Sequence, residues 1–96
     1  MGTYEQLKRE FCIEAVADLM VELSAEYPEA DFAEASDRLK VKNDAPDGFT
    51  FDWYESPDLI PGNFVRIEDV HLTDDEWIRA ENLARAELYQ KRFNIK

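Results

Sequence analysis

Residues 38–42 read Arg38-Leu39-Lys40-Val41-Lys42, and their period decides how many strands the chain forms. Basic and apolar side chains alternate, the pattern of a strand with one face buried and the other wet. A strand is therefore expected over 39–43. Downstream, Ala45-Pro46-Asp47-Gly48 carries the residue order of a tight turn, with proline second and glycine last. Phe49, Phe51 and Trp53 then alternate with Thr50, Asp52 and Tyr54, which predicts a second strand over 49–55. Ser56 to Asn63 holds two prolines and reads as a loop, and a third strand is expected over 64–70.

Upstream of that alternation, 29–37 reads as a short helix, with Phe32 and Leu39 facing inward and Glu29, Asp31 and Glu34 outward. Pro28 separates it from a longer amphipathic helix over 4–27, because the residue before a proline is pushed out of the helical region. In that helix Leu7, Phe11, Ala15, Leu19, Leu23 and Tyr27 step by four, with Cys12, Val16 and Met20 running alongside, and this apolar side is expected to face the core. The last element announces itself with Thr73-Asp74-Asp75-Glu76, a capping box in which the Thr73 hydroxyl and the Glu76 carboxylate serve each other's amides. A helix over 74–93 follows, with Trp77, Ala80, Ala84 and Leu88 as its buried stripe. The expected fold class is α+β in the order α-α-β-β-β-α, a small three-stranded antiparallel meander packed against two long helices. At 96 residues this makes a single domain, 1–96.

The charge is lopsided. Asp and Glu number 22 against 11 Lys and Arg, for a formal net charge of −11. Residues 1–76 hold twenty acids and six bases, a net of −14, whereas 77–96 hold two acids and five bases, a net of +3. Such acidity disfavours direct binding to nucleic acid or to an anionic membrane and favours basic protein surfaces. The single cysteine, Cys12, rules out an intramolecular disulfide. With no signal-like opening and no apolar run long enough to span a bilayer, a cytoplasmic location is expected.

Between Arg9 and Arg38 stand nine carboxylates and no Lys or Arg. Glu10, Glu14, Asp18, Glu22 and Glu26 recur every four residues, so on a helix they form a continuous line of negative charge, extended by Glu29, Asp31 and Glu34. Each like-charge pair at this spacing destabilises a helix by roughly 0.2–0.5 kcal/mol, so the four pairs together cost about 1–2 kcal/mol. The carboxylates rise by about 6 Å per step, comparable to the step between phosphates on a strand. Two readings follow. The line is a binding face for a basic groove, or a solvated face neutralised internally by Arg38, Lys40 and Lys42.

Motifs for chemistry are scarce. His71 is the only histidine, and neither a second histidine nor a cysteine pair stands with it to hold zinc. Asp44, Asp47, Asp52 and Glu55 surround Gly48, but with that glycine in the invariant place of a calcium loop, Ala45 and Tyr54 fall where oxygen ligands belong. Phosphate-cradling glycine loops and nucleophile elbows are absent from the sequence. No cofactor, no metal and no enzymatic activity are expected, a small hydrolase built on Asp52 and Glu55 being the enzymatic alternative. Tyr54, Leu59 and Ile60 are candidate contact residues, since exposed aromatic and apolar side chains anchor interfaces.

In size, net charge and lack of catalytic motifs the chain resembles the small acidic inhibitors that phages and mobile elements direct against nucleic-acid enzymes. The likeness is one of composition. It implies a protein that occludes the nucleic-acid-binding surface of a basic partner, a nuclease or related host enzyme, as a DNA mimic. The candidate partner-binding residues are Glu10, Glu14, Asp18, Glu22, Glu26, Glu29, Asp31, Glu34, Tyr54, Leu59 and Ile60. An immunity or antitoxin-like protein that neutralises a basic toxin is the alternative, and either a monomer or a homodimer is compatible with the sequence.

Overall fold

The computed structural model describes residues 2–26, 32–54 and 64–94. Within them the order is α1 (Gly2–Glu26), α2 (Phe32–Asp44), β1 (Phe49–Tyr54), β2 (Phe64–Val70) and α3 (Asp74–Asn94). The two strands pair antiparallel in a two-stranded sheet. The expected three-stranded meander is therefore overturned. Residues 39–43, expected to be its first strand, are the second half of α2.

The physical reason lies in which side chains are covered. Ala35, Ser36 and Asn43 are buried and Phe32, Leu39 and Lys40 half-buried, a spacing of three and four that belongs to a helix. Val41, which the alternation would have placed inside with Leu39, is 72% exposed. Two ion pairs at four-residue spacing support the helix, Arg38 to Glu34 at 3.1 Å and Lys40 to Asp44 at 3.4 Å.

Contacts of three α2 residues lay this helix antiparallel to α3. Lys40 sits 3.8 Å from Asp74 and over the ring of Trp77, the Ser36 hydroxyl donates to Glu81 at 2.6 Å, and Arg85 stacks 4.8 Å over the ring of Phe32. At the end of α2 the buried amide of Asn43 clamps the chain between β2 and α3. Its Oδ1 accepts from the Leu72 amide at 2.7 Å, and its Nδ2 donates to the Leu72 carbonyl at 3.2 Å. One side chain thus satisfies both backbone groups of a buried residue.

The expected turn after α2 is present. The Gly48 amide donates to the Ala45 carbonyl at 3.2 Å, and Gly48 adopts φ 64°. A Cβ there would lie 2.5 Å from the Val70 carbonyl oxygen, so only glycine fits this crossing. His71 donates from Nε2 to the same Ala45 carbonyl at 2.9 Å, since a carbonyl can only accept.

The sheet carries a feature that simple alternation does not contain. Phe51 pairs with Ile67 but Phe49 pairs with Val70, so β2 holds one more residue than β1 between these points. Asp69 takes φ 57° at this bulge. The extra residue resets the phase, letting Val70 bury alongside Phe49 although an odd number of positions separates it from Ile67.

The core joins Cys12, Ile13, Val16, Ala17, Met20 and Val21 of α1 to Phe49, Val70, Leu72, Trp77, Ala80 and Ala84. The buried stripe expected on α3 is found there, with Leu88 half-buried. On α1 the buried centre falls on Cys12, Val16 and Met20, expected to run alongside the ramp, rather than on the ramp itself. Val16 and Met20 are fully covered, whereas Phe11, Ala15, Leu19 and Leu23 lie at its edge and Leu7 is 56% exposed. Phe11 is drawn sideways to the sheet, its ring 6.2 Å from those of Phe51 and Trp53. Alanines at 80 and 84 leave room on α3 for the larger side chains of α1. Among the described residues no helix is long and apolar enough to cross a membrane.

Candidate functional site

The acidic line begins on α1, whose inward face is set by Cys12, Ile13, Val16, Ala17, Met20 and Val21. Glu14, Asp18 and Glu22 project from the opposite side and are exposed. They lie one helical repeat apart, about 6 Å per step. None of the three has an ion-pair partner among the described residues. The last turn of α1 contains no basic residue, so the line also meets the negative end of the helix dipole unrelieved.

Glu10 behaves differently. Arg79 of α3 grips it with both terminal nitrogens, at 2.5 and 2.6 Å. These hydrogen bonds hold the Glu10 carboxyl below the usual carboxylate range. One residue earlier, Arg9 donates through Nε to Glu76 at 2.9 Å, through a terminal nitrogen to the other oxygen of the same carboxylate, and to the His71 carbonyl at 3.2 Å. Glu76 is meanwhile the capping carboxylate of α3. Its Oε1 accepts from the Thr73 amide at 3.0 Å, and the Thr73 hydroxyl accepts from the Glu76 amide at 3.2 Å, which makes the capping box expected from the sequence. The Arg9 hydrogen bond foremost, and then the cap, hold Glu76 below the ordinary range against partial burial.

This cross-linked end encloses an open groove of about 700 Å³, with Leu7 and Ile13 between the Arg9–Glu76 and Arg79–Glu10 pairs. Arg9, Arg79 and Glu76 were not among the candidate residues. Their signal in the sequence is faint, because residues nearly seventy positions apart must meet before their charges matter.

Of the internal neutralisation by Arg38, Lys40 and Lys42, the described contacts place one pair, Arg38 with Glu34, and none on Glu14, Asp18 or Glu22. Arg38 pairs within α2, Lys40 reaches Asp44 and Asp74, and the Lys42 ammonium lies 5.8 Å over the ring of Phe49. Glu34, a candidate, is exposed and paired with Arg38. Glu29, Asp31, Leu59, Ile60 and Glu55 lie outside the described residues. Glu26 and Tyr54 belong to α1 and β1 by their backbones, and their side chains lie outside the description. Asp52 is exposed on β1 opposite Arg66, so only one member of the hydrolase alternative is placed. Cys12 is buried, and burial pushes its thiol up, away from the thiolate a nucleophile needs. Among the described residues no three His, Cys, Asp or Glu side chains gather to hold a metal ion. No family profile, curated protein or solved structure matches the chain.

Proposed function

We propose that the chain is a small acidic interaction protein that binds and occludes the basic, nucleic-acid-binding surface of a partner protein. Glu14, Asp18 and Glu22 form the centre of its contact face. The observation that supports this reading is the unanswered charge of these three residues, none of which meets Arg38, Lys40 or Lys42 in a described ion pair. A rigid helix carries the line at a fixed step of about 6 Å. A groove lined with Lys and Arg for a phosphate chain meets a similar succession of charges there. The partner class is a nuclease or another nucleic-acid enzyme, and the protein acts with it in the cytoplasm.

The test is charge reversal on the exposed face. In Glu14→Lys, Asp18→Lys, Glu22→Lys the fold is retained, since all three side chains are exposed. Partners captured from lysate at low salt by the wild type, and identified by mass spectrometry, are lost with the variant. Their binding weakens steeply with added salt and is displaced by an oligonucleotide. Equal capture by variant and wild type, or indifference to oligonucleotide, refutes the reading.

A further inference from the structure

A second surface stands out against the acidity of the chain. From Ile78 to Gln90 the exposed positions of α3 are Ile78, Arg79, Asn82, Leu83, Arg85, Ala86, Tyr89 and Gln90, without a single acid. Glu81 and Glu87, the two acids of this stretch, are both half-buried. Ile78 and Tyr89 are 53% and 65% exposed, and they share one side of the helix with Asn82 and Arg85. Arg85 has no carboxylate partner among the described residues, its guanidinium resting on Phe32. Exposed Ile, Tyr and Arg on one helical face, with acids excluded, is the composition of a protein interface.

We propose that this face of α3 docks on the Glu14–Asp18–Glu22 face of α1 in a second copy of the chain. Charge complementarity selects this occupant. The α3 face presents Arg85 and no exposed acid, whereas the α1 face carries three carboxylates with no ion-pair partner among the described residues. The two faces match in length. Ile78 to Tyr89 spans about 16 Å, and Glu14 to Glu22 about 12 Å, at 1.5 Å per residue. Leu7, 56% exposed, flanks the acids on α1 and offers apolar contact for Ile78. The contact is heterologous, so an assembly keeps one face of each kind free at its two ends unless a ring closes, and it grows with concentration. A single pair of helix faces makes a small interface, hence a weak and salt-sensitive one. The inference stands apart from the partner reading, because it concerns the purified chain alone.

Sedimentation velocity over a concentration series decides it. At about 0.05 M salt the weight-average mass rises with concentration, and at about 0.5 M salt the chain is monomeric. Ile78→Glu, Asn82→Glu on α3, and separately the triple lysine variant of α1, each weaken association by at least about tenfold. Circular dichroism confirms their folds. Mixing the two variants restores a one-to-one complex, because each brings the intact face that the other lacks. A wild-type monomer at every salt concentration overturns the proposal. So does association that survives the α1 variant, which places α3 against α3 instead. Loss of partner capture by the α1 variant with its self-association intact overturns this proposal and leaves the partner reading standing.

Discussion

The two ends of α1 carry the same kind of residue at the same spacing and have opposite fates. At the first end Arg9 and Glu10 are each answered by a residue of α3, Glu76 and Arg79. Further along, Glu14, Asp18 and Glu22 face solvent with no cation opposite among the described residues. What separates them is not the ladder but what the fold places across from it. A periodic charge pattern therefore names a helix face, and only the neighbouring elements decide whether that face is structural or free to bind.

The largest expected effect tests what keeps the lysines of α2 away from that line. Asn43 pins the end of α2 to Leu72, beside the point where Lys40 meets Asp74 and Trp77. Asn43→Ala leaves a buried amide and a buried carbonyl unpaired and is expected to cost about 2–3 kcal/mol. Urea unfolding measures it. A loss under about 0.5 kcal/mol, within the ordinary range of surface substitutions, means that the clamp does not hold the helix.

Asn43 also marks where the sequence stopped being legible. The long helices, the turn at Ala45–Gly48, the capping box and the strands at 49–54 and 64–70 were all written in local patterns. Residues 38–42 were not, because five positions of alternation fit a strand while the deciding contacts lie outside the window. Ser36 meets Glu81, and Asn43 meets Leu72, across separations no short period encodes. The bulge at Asp69 was hidden similarly, since alternation has no term for an inserted residue. For the candidate site, the sequence made the acidic line visible and left its division invisible. Arg79 stands too far along the chain for its pairing with Glu10 to be read from spacing.

A smaller effect is expected at the answered end. Glu76→Ala removes both a cap and the partner of Arg9, for a loss of about 2 kcal/mol, whereas Glu76→Gln keeps the cap and loses less. The folded state holds Glu76 and Glu10 below their ordinary range. Their stabilisation is therefore complete above the unfolded carboxylate value, near pH 4.3, and disappears as pH falls through the lower folded values. Urea midpoints at about pH 7 and pH 3 fall apart more in the wild type than in Glu76→Gln. Equal spacing of the midpoints in both proteins contradicts the proposed role of the Arg9–Glu76 link.

The smallest effect has the opposite sign and bears directly on the comparison. Glu14→Gln, Asp18→Asn, Glu22→Gln removes like-charge neighbours along α1 and relieves the helix end. The triple variant should be more stable than the wild type by about 0.5–1 kcal/mol at low salt. Added salt should narrow the difference, since screening does for the wild type what the substitutions do permanently. A residue kept for folding loses stability when neutralised, as Glu10 should through its lost grip on Arg79. A gain at the other three positions means that they oppose folding, and that any use they have lies outside the chain's own structure. Thermal melts on dilute protein distinguish the cases. A loss at Glu14, Asp18 and Glu22 identifies an intramolecular partner and removes the binding face.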